Sequence, residues 1–210
     1  MLLYNGTWNY TALPSLKERG EREGWIEQEF ITANTSFKRR GRAVEEFITA
    51  MRAAWGPDPV QFEGQFYRIP LAKINPKPLQ EGGIPVVLGT AHPVAIRRAA
   101  RLGIGLNPIA FTFEVLEEAM NNFRAALQEE GRDPAGLKVI ARANVPITAR
   151  SLPESNRPFL GGSAAQIAKD LARVKALGFD HVLFADLASS TVDEAVLRLE
   201  ELRDAAHDYF

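Results

Sequence analysis

The sequence contains no cysteine among its 210 residues. This absence excludes disulfide bonds, a cysteine nucleophile and every metal site that needs cysteine ligands. Histidine is scarce as well, since His92, His181 and His207 are the only three and their spacing matches no histidine metal motif. The sequence therefore predicts no bound metal.

Long hydrophobic runs are also missing. One apolar run stops at Gly89 and another at Asp186, each after only a few residues, whereas a helix that crosses a membrane needs about 20. The first residues lack the basic and apolar regions of a signal peptide. We expect a soluble, cytoplasmic protein with no membrane partner.

Neither sign of charge is in excess. Lysine and arginine number 25 and aspartate and glutamate 26, which gives a net charge of −1. A chain with this balance has no overall field that favours nucleic acid, so we expect no nucleic-acid partner. With 46% hydrophobic and 24% charged residues, the composition is that of a folded globular protein.

The length favours one domain over residues 1–210. Three parts can be distinguished within it: a divergent N-terminal segment (1–24), a region of helix, hairpin and connector (25–83), and four βα units (84–210). In the middle part we expect a helix over residues 36–55 and a hairpin over residues 62–69 that turns at Glu63 and Gly64. A short strand is expected within residues 1–10.

Short apolar runs alternate with amphipathic helical patterns from residue 84 onward. The apolar runs cover residues 85–88, 104–109, 137–147 and 181–185. The helices that follow them begin at Pro93, Thr112, Ser163 and Thr191. Proline and hydroxyl residues are common at helix starts, and the alternation predicts parallel strands. The sequence thus predicts an α/β fold: an incomplete (β/α)8 TIM barrel, with four parallel βα units of its C-terminal half and an N-terminal helix and hairpin region.

The last predicted helix has a clear pattern. Thr191 and Glu194 have the spacing of a capping box. Its apolar residues fall on one face. We expect the following residues of this face to be buried: Val192, Ala195, Val196, Leu199 and Leu202.

The best candidate for a functional site is the loop after the first of these strands, formed by Gly89, Thr90, Ala91 and His92. A parallel strand that leads into a helix exposes backbone N–H groups and the positive end of the helix dipole, which suits an anion. Gly89 lets the backbone approach a ligand closely, while Thr90 and His92 add side-chain donors. The alternative is that Thr90 or His92 only caps the helix.

Other polar residues are weaker candidates. Asp186 ends the last strand, where barrel enzymes hold functional groups, although a cap of its loop is the preferred interpretation. Arg142 and Asn144 interrupt the third apolar run, and they either line a site or face solvent. Ser163 follows two glycines and is interpreted as a helix cap rather than part of a ligand loop.

Several short motifs occur in an order that is specific even though each is short. They are Gly24-Trp25-Ile26, Phe62-Glu63-Gly64-Gln65-Phe66-Tyr67, Pro76-Lys77-Pro78, Pro85-Val86-Val87-Leu88-Gly89 and Gly131-Arg132-Asp133-Pro134. Over residues 24–207 the chain resembles the bacterial luciferase-like monooxygenase family. It is most similar to the branch whose oxidoreductases use the deazaflavin coenzyme F420.

The resemblance implies an eight-stranded barrel that binds FMN or coenzyme F420 at the carboxyl ends of its strands. It implies that Gly89, Thr90 and Ala91 form the loop on the phosphate side of that cofactor. The implied function is that of a flavin- or deazaflavin-dependent oxidoreductase or monooxygenase that acts on a small organic substrate.

The chain also departs from the family pattern. The charged residues 17–23 stand where relatives have an apolar strand, and the first three strands of the family have no counterpart. The resemblance therefore implies an N-terminal truncation, reduced or no activity, and no assignable catalytic residue. One alternative is a non-catalytic cofactor-binding or structural protein, and another is a wrongly assigned gene start. We expect a homo-oligomer in which a partner covers the open edge of the sheet.

Overall fold

The computed structural model of the protein describes residues 2–3, 26–108, 110–207 and 209. The helices in these residues are α1 (Glu27–Thr32), α2 (Arg40–Trp55), α3 (Pro93–Leu102), α4 (Phe113–Glu129), α5 (Ala164–Ala176) and α6 (Val192–Ala206). The strands are β1 (Leu2–Leu3), β2 (Val60–Glu63), β3 (Arg68–Ala72), β4 (Val86–Gly89), β5 (Gly105–Asn107), β6 (Ile140–Val145), β7 (Ile147–Thr148), β8 (Gly162–Ser163) and β9 (His181–Asp186). None of the described helices is long and apolar enough to span a membrane.

The four βα units form as the sequence predicts. Strands β4, β5, β6 and β9 run parallel in chain order: β4 pairs with β5, β6 pairs with β9, and a bridge between Leu106 and Val139 joins the two pairs. β1 pairs in parallel with the other edge of β4, which confirms the expected strand near the N-terminus. Within the described residues β9 pairs only with β6, so no closed barrel forms there.

Side-chain caps fix the starts of three helices at the predicted residues. Thr112 and Ser163 accept hydrogen bonds from the first turns of α4 and α5. At α6, Thr191 accepts a hydrogen bond from the backbone N–H of Glu194 at 3.2 Å. The carboxylate of Glu194 accepts from the N–H of Ser190 at 3.0 Å rather than from Thr191. The predicted capping box of α6 is therefore only half formed, because its second bond goes to the preceding residue.

The parallel strands present two different faces. Leu88, Leu106 and Ala143 point toward the helices and join one buried cluster with Ile96 of α3 and Phe123 of α4. Because side chains alternate along a strand, the intervening residues form a second face, which we call the interior face. Its members are Val87, Gly89, Gly105, Asn107, Ile140, Arg142, Asn144, His181, Leu183 and Ala185. The interior face thus combines small, polar and apolar residues.

The prediction that one face of α6 is buried is wrong for most of its residues. Leu202 is buried, but Val192 is 78% exposed, Val196 48% and Leu199 37%. Ala195 is partly buried. The physical reason is that the described residues place no strand beside the free edge of β9, so no further helix packs against this side of α6.

The region before the βα units agrees with the predicted elements and differs at their ends. The helix predicted over residues 36–55 begins with the 3-10 turn Phe37–Arg39 and continues as α2. β2 and β3 form the predicted antiparallel hairpin, and its turn lies at residues 64–67 rather than at 63 and 64. The carboxylate of Glu46 accepts hydrogen bonds from the backbone N–H groups of residues 65–67 at 2.6–3.0 Å. A single side chain of α2 therefore holds the hairpin turn.

Asp58 makes the stability of this region depend on pH. Its carboxylate accepts hydrogen bonds from the Lys77 ammonium at 2.8 Å, the Asn75 amide at 2.9 Å and the Ile74 N–H at 3.1 Å. These bonds, with that of Lys77 the largest cause, lower its pKa from 3.8 to about 2.

A carboxylate with a lowered pKa stabilises the folded state above its ordinary pKa, and this contribution is lost as the pH falls through the folded value. We expect the free energy of unfolding of the wild type to fall between about pH 4 and pH 2. The Asp58→Asn variant should lack the part of this decrease that comes from protonation of Asp58. Urea unfolding at a series of pH values measures it, and parallel pH curves for the two proteins would contradict the expectation.

Candidate functional site

The loop of residues 89–92 lies at the carboxyl ends of the parallel strands. β4 ends at Gly89, which pairs with Asn107 at the end of β5. α3 begins four residues later at Pro93, and His92 is its N-cap residue. The structure therefore places the candidate loop between the end of a parallel strand and the start of a helix, as the sequence predicts.

Thr90 is the most deeply buried residue of the loop. It is 3% exposed, its backbone N–H donates to the carbonyl oxygen of Asn107 at 3.1 Å, and its hydroxyl accepts from the N–H of His92 at 3.0 Å. These bonds tie the loop to β5 and fold it into a tight turn. A hydroxyl that accepts one bond can still donate its own proton.

His92 acts as a helix cap in this conformation. Its side chain is exposed, and Nδ1 accepts from the N–H of Val94 at 3.3 Å. In the described part of the chain the N–H of Ala91 has no acceptor within hydrogen-bond distance. The capping alternative is thus realised by His92 alone, since the Thr90 hydroxyl closes the turn that precedes the helix. Phosphate binding by the loop stays a prediction.

Asn107 is a polar residue of this site that sequence reasoning missed. Its side chain is 4% exposed and its Nδ2 donates to the carbonyl oxygen of Ile140 at 2.6 Å, on the neighbouring strand β6. A signal was available, because Asn107 is the only polar side chain of the apolar run at residues 104–109. The apolar neighbours of Asn107 predict a buried strand, and a polar side chain inside such a strand indicates a specific hydrogen-bond partner or a site.

Arg142 and Asn144 both lie on the interior face, and that they line a ligand site stays a prediction. Their side chains are joined by a hydrogen bond from Arg142 Nε to Asn144 Oδ1 at 3.1 Å, and both residues are partly buried. The described interior face therefore carries a guanidinium group whose orientation is set by a neighbouring amide.

Asp186 serves as the anchor of its loop. Its carboxylate accepts from the backbone N–H groups of Ile147 and Ala188, each at 2.9 Å, and of Ser189 at 3.2 Å. Burial would raise the pKa of Asp186, but the hydrogen bonds outweigh burial and lower it. The carboxylate is therefore ionised and committed to the backbone. Among the described residues no group of three or more His, Asp or Glu side chains could hold a metal.

The comparison with protein families gives a match that covers well over half of the chain. The model described as luciferase-like monooxygenase matches residues 23–154. The chain belongs to the luciferase-like monooxygenase family. This confirms the resemblance that the ordered motifs indicate.

Curated relatives in this family match shorter segments. An F420-dependent glucose-6-phosphate dehydrogenase of Nocardia farcinica is 41% identical over 69 residues, which are 33% of this chain and 20% of the relative. Another from Rhodococcus jostii is 38% identical over 86 residues, which are 41% of this chain and 25% of the relative. The chain thus matches no more than a quarter of the length of these relatives.

Solved structures of luciferase-like enzymes share the fold. The monooxygenase RslO1 of Streptomyces bottropensis superposes with a TM-score of 0.68 at 17% identity, covering 88% of this chain and 65% of the other. An F420-dependent secondary alcohol dehydrogenase in complex with an F420-acetone adduct gives 0.65 at 17% identity, covering 81% and 63%. The chain spans just under two thirds of either structure, and at this identity the likeness concerns the fold alone.

Proposed function

We propose that the protein acts in a flavin- or deazaflavin-dependent oxidoreductase reaction on a small organic substrate, and that Gly89, Thr90, Ala91 and His92 bind the phosphate end of FMN or coenzyme F420. The observation that carries the proposal is the buried Thr90 beside the Ala91 N–H, which has no acceptor among the described residues, just before α3 begins. F420-dependent enzymes among the relatives and structural neighbours support the choice of cofactor.

The donors of the loop suit a phosphate group. We assign the Ala91 N–H and the Thr90 hydroxyl as donors to one phosphate group beside the start of a helix, where the helix dipole adds favourable charge. Displacing the exposed His92 side chain from its 3.3 Å bond would release the N–H of Val94 as a further donor. Residues 89–102 contain no acidic side chain that would repel the phosphate.

The polar residues of the interior face form the second part of the proposed site. When bound, the flavin or deazaflavin ring supplies hydride transfer or oxygen activation. Asn107, Arg142 and Asn144 offer polar groups on the same face of neighbouring strands, and we assign them to orienting the polar edge of the ring or the substrate. Asp186 is assigned no proton transfer, because its carboxylate is held by three backbone N–H groups.

The variant Thr90→Val tests the phosphate site. Losing one hydrogen bond of about 1 kcal/mol should weaken the binding of FMN or coenzyme F420 about fivefold. Fluorescence titration measures the affinity for each cofactor. Riboflavin, which lacks the phosphate, serves as a second ligand, and its affinity should be the same for Thr90→Val and the wild type.

Two matched variants separate the ligand effect from the helix cap. Thr90→Ser keeps the hydroxyl and should retain the wild-type affinity. Thr191→Val removes the N-cap hydroxyl of α6, so it should lower stability without changing cofactor affinity. If the wild type and Thr90→Val bind FMN and coenzyme F420 with equal affinity, the Thr90 hydroxyl does not contact the phosphate.

A further inference from the structure

The outer edge of β9 is a strand edge without a partner in the described residues. β9 is six residues long and pairs with β6 on one side only. Its backbone N–H and C=O groups on the other side are available to another strand, as at any sheet edge. The strands joined to it through β6, β5 and β4 all run parallel, so a parallel strand would continue the same arrangement.

An apolar surface adjoins this edge. Val192, Val196 and Leu199 follow each other at helical spacing on α6, and all three are exposed. Between α6 and β9 lies an open groove of about 540 Å³, whose lining includes Leu171, Val182, Leu199 and Leu202. A contiguous apolar surface of this kind is typical of a protein interaction site. We call the β9 edge, the groove and the exposed face of α6 the α6 surface.

The charge on α6 indicates what covers the surface. The helix carries five acidic residues and two arginines: Asp193, Glu194, Glu200, Glu201, Asp204, Arg198 and Arg203. The opposite end of the helix layer is basic, because residues 38–42 at the start of α2 contain four basic residues and no acidic residue. α3 contacts both α2 and α4, and α5 contacts α6, so α2 and α6 lie at opposite ends of the five long helices that the structure describes.

We propose that the α6 surface binds a second copy of this chain, with α6 of each copy against the basic start of α2 in the other. A two-fold axis parallel to the strands keeps all strands parallel and places the β9 edge of one copy beside β1 of the other. Both open ends of each sheet are then paired, which gives a closed dimer rather than a filament. The acidic helix meets the basic segment at both contacts, and the apolar stripe of α6 is covered.

Site-specific disulfide cross-linking tests this arrangement. Because the sequence contains no cysteine, each cysteine variant carries a single thiol. Val196→Cys, on the exposed apolar stripe of α6, and Arg42→Cys, on the exposed side of α2, are purified separately, mixed and oxidised. We expect a disulfide-linked dimer in the mixture, at a yield well above that of either variant alone. Efficient cross-linking of Val196→Cys to itself would overturn the arrangement, because it would place α6 against α6.

Sedimentation of the unmodified protein tests the surface itself. The wild type should be a dimer whose dissociation constant rises with salt concentration, since charge pairs contribute to it. Val192→Asp/Val196→Asp should weaken the dimer by about 100-fold or more, while Leu79→Asp, at an exposed leucine of the connector, should leave it unchanged. A wild-type monomer, or equal affinities for all three proteins, would overturn the proposal. Circular dichroism confirms that the exposed substitutions leave the fold intact.

Discussion

Replacing Arg157 with alanine is expected to lower the free energy of unfolding by about 3–5 kcal/mol, because the carboxylate of Asp170 would stay buried without its partner. Asp170 is 9% exposed. The Arg157 guanidinium donates to its two oxygens at 2.5 and 3.1 Å, and to the carbonyl oxygen of Gly161 at 3.1 Å. The hydrogen bond to Asp170 also raises the pKa of Arg157. Urea unfolding of the variant measures the loss.

Matched variants separate burial from charge pairing. Arg68 forms an exposed ion pair with Glu63 at 3.2 Å, and Arg68→Ala should change stability little, since exposed pairs contribute little. Arg157→Met/Asp170→Leu should recover much of the stability lost in Arg157→Ala, because no unpaired charge remains buried. Equal effects of Arg157→Ala and Arg68→Ala would contradict the role given to the buried pair.

The second large effect is expected for Gly105→Ala in β5. A Cβ atom at this position would overlap the carbonyl oxygen of Lys138 and lie 2.7 Å from Cγ1 of Val87. The Lys138 carbonyl is fixed because it accepts a hydrogen bond from the N–H of Leu106 at 3.0 Å. A backbone carbonyl cannot move aside as a flexible side chain can. We therefore expect Gly105→Ala to lower the free energy of unfolding, measured by urea unfolding, by about 3 kcal/mol or more.

Gly41→Ala is the matched control for this effect. A Cβ atom at Gly41 would come within 2.9 Å of the guanidinium of Arg98, which is the end of a long side chain and not backbone. Gly41 is the second residue of α2, and alanine is a better helix former than glycine. We expect unchanged or slightly higher stability. A larger loss for Gly41→Ala than for Gly105→Ala would contradict the close-packing argument.

The βα units could be predicted because their signals are local. Thr112, Ser163 and Thr191 cap the helices that follow them, and each bond joins residues only three apart in sequence. Apolar runs of four or more residues between these helices leave few alternatives to parallel strands. The order of the strands then follows from the short connections.

Burial on α6 and the composition of the site could not be predicted in the same way. Val192 and Val196 have the spacing of a core face, but whether that face is covered depends on a neighbour beyond β9. At residues 89–92 the same Thr90 hydroxyl and His92 imidazole can cap a helix or contact an anion, and the sequence is identical in both cases. The burial of the Asn107 amide depends on its hydrogen bond to the carbonyl oxygen of Ile140, which is distant in sequence. A local sequence pattern does not reveal this partner.

Few hydrogen bonds join β5 to β6. In the described residues they are those of the bridge between Leu106 and Val139, which include the bond from the Leu106 N–H to the Lys138 carbonyl oxygen, and the side-chain bond from Asn107. Partial opening of a protein is easiest where few bonds and contacts must break. Leu88 and Leu106 on one side and Ala143 on the other share one buried cluster with the helices, so apolar packing rather than backbone pairing keeps the two pairs of strands together.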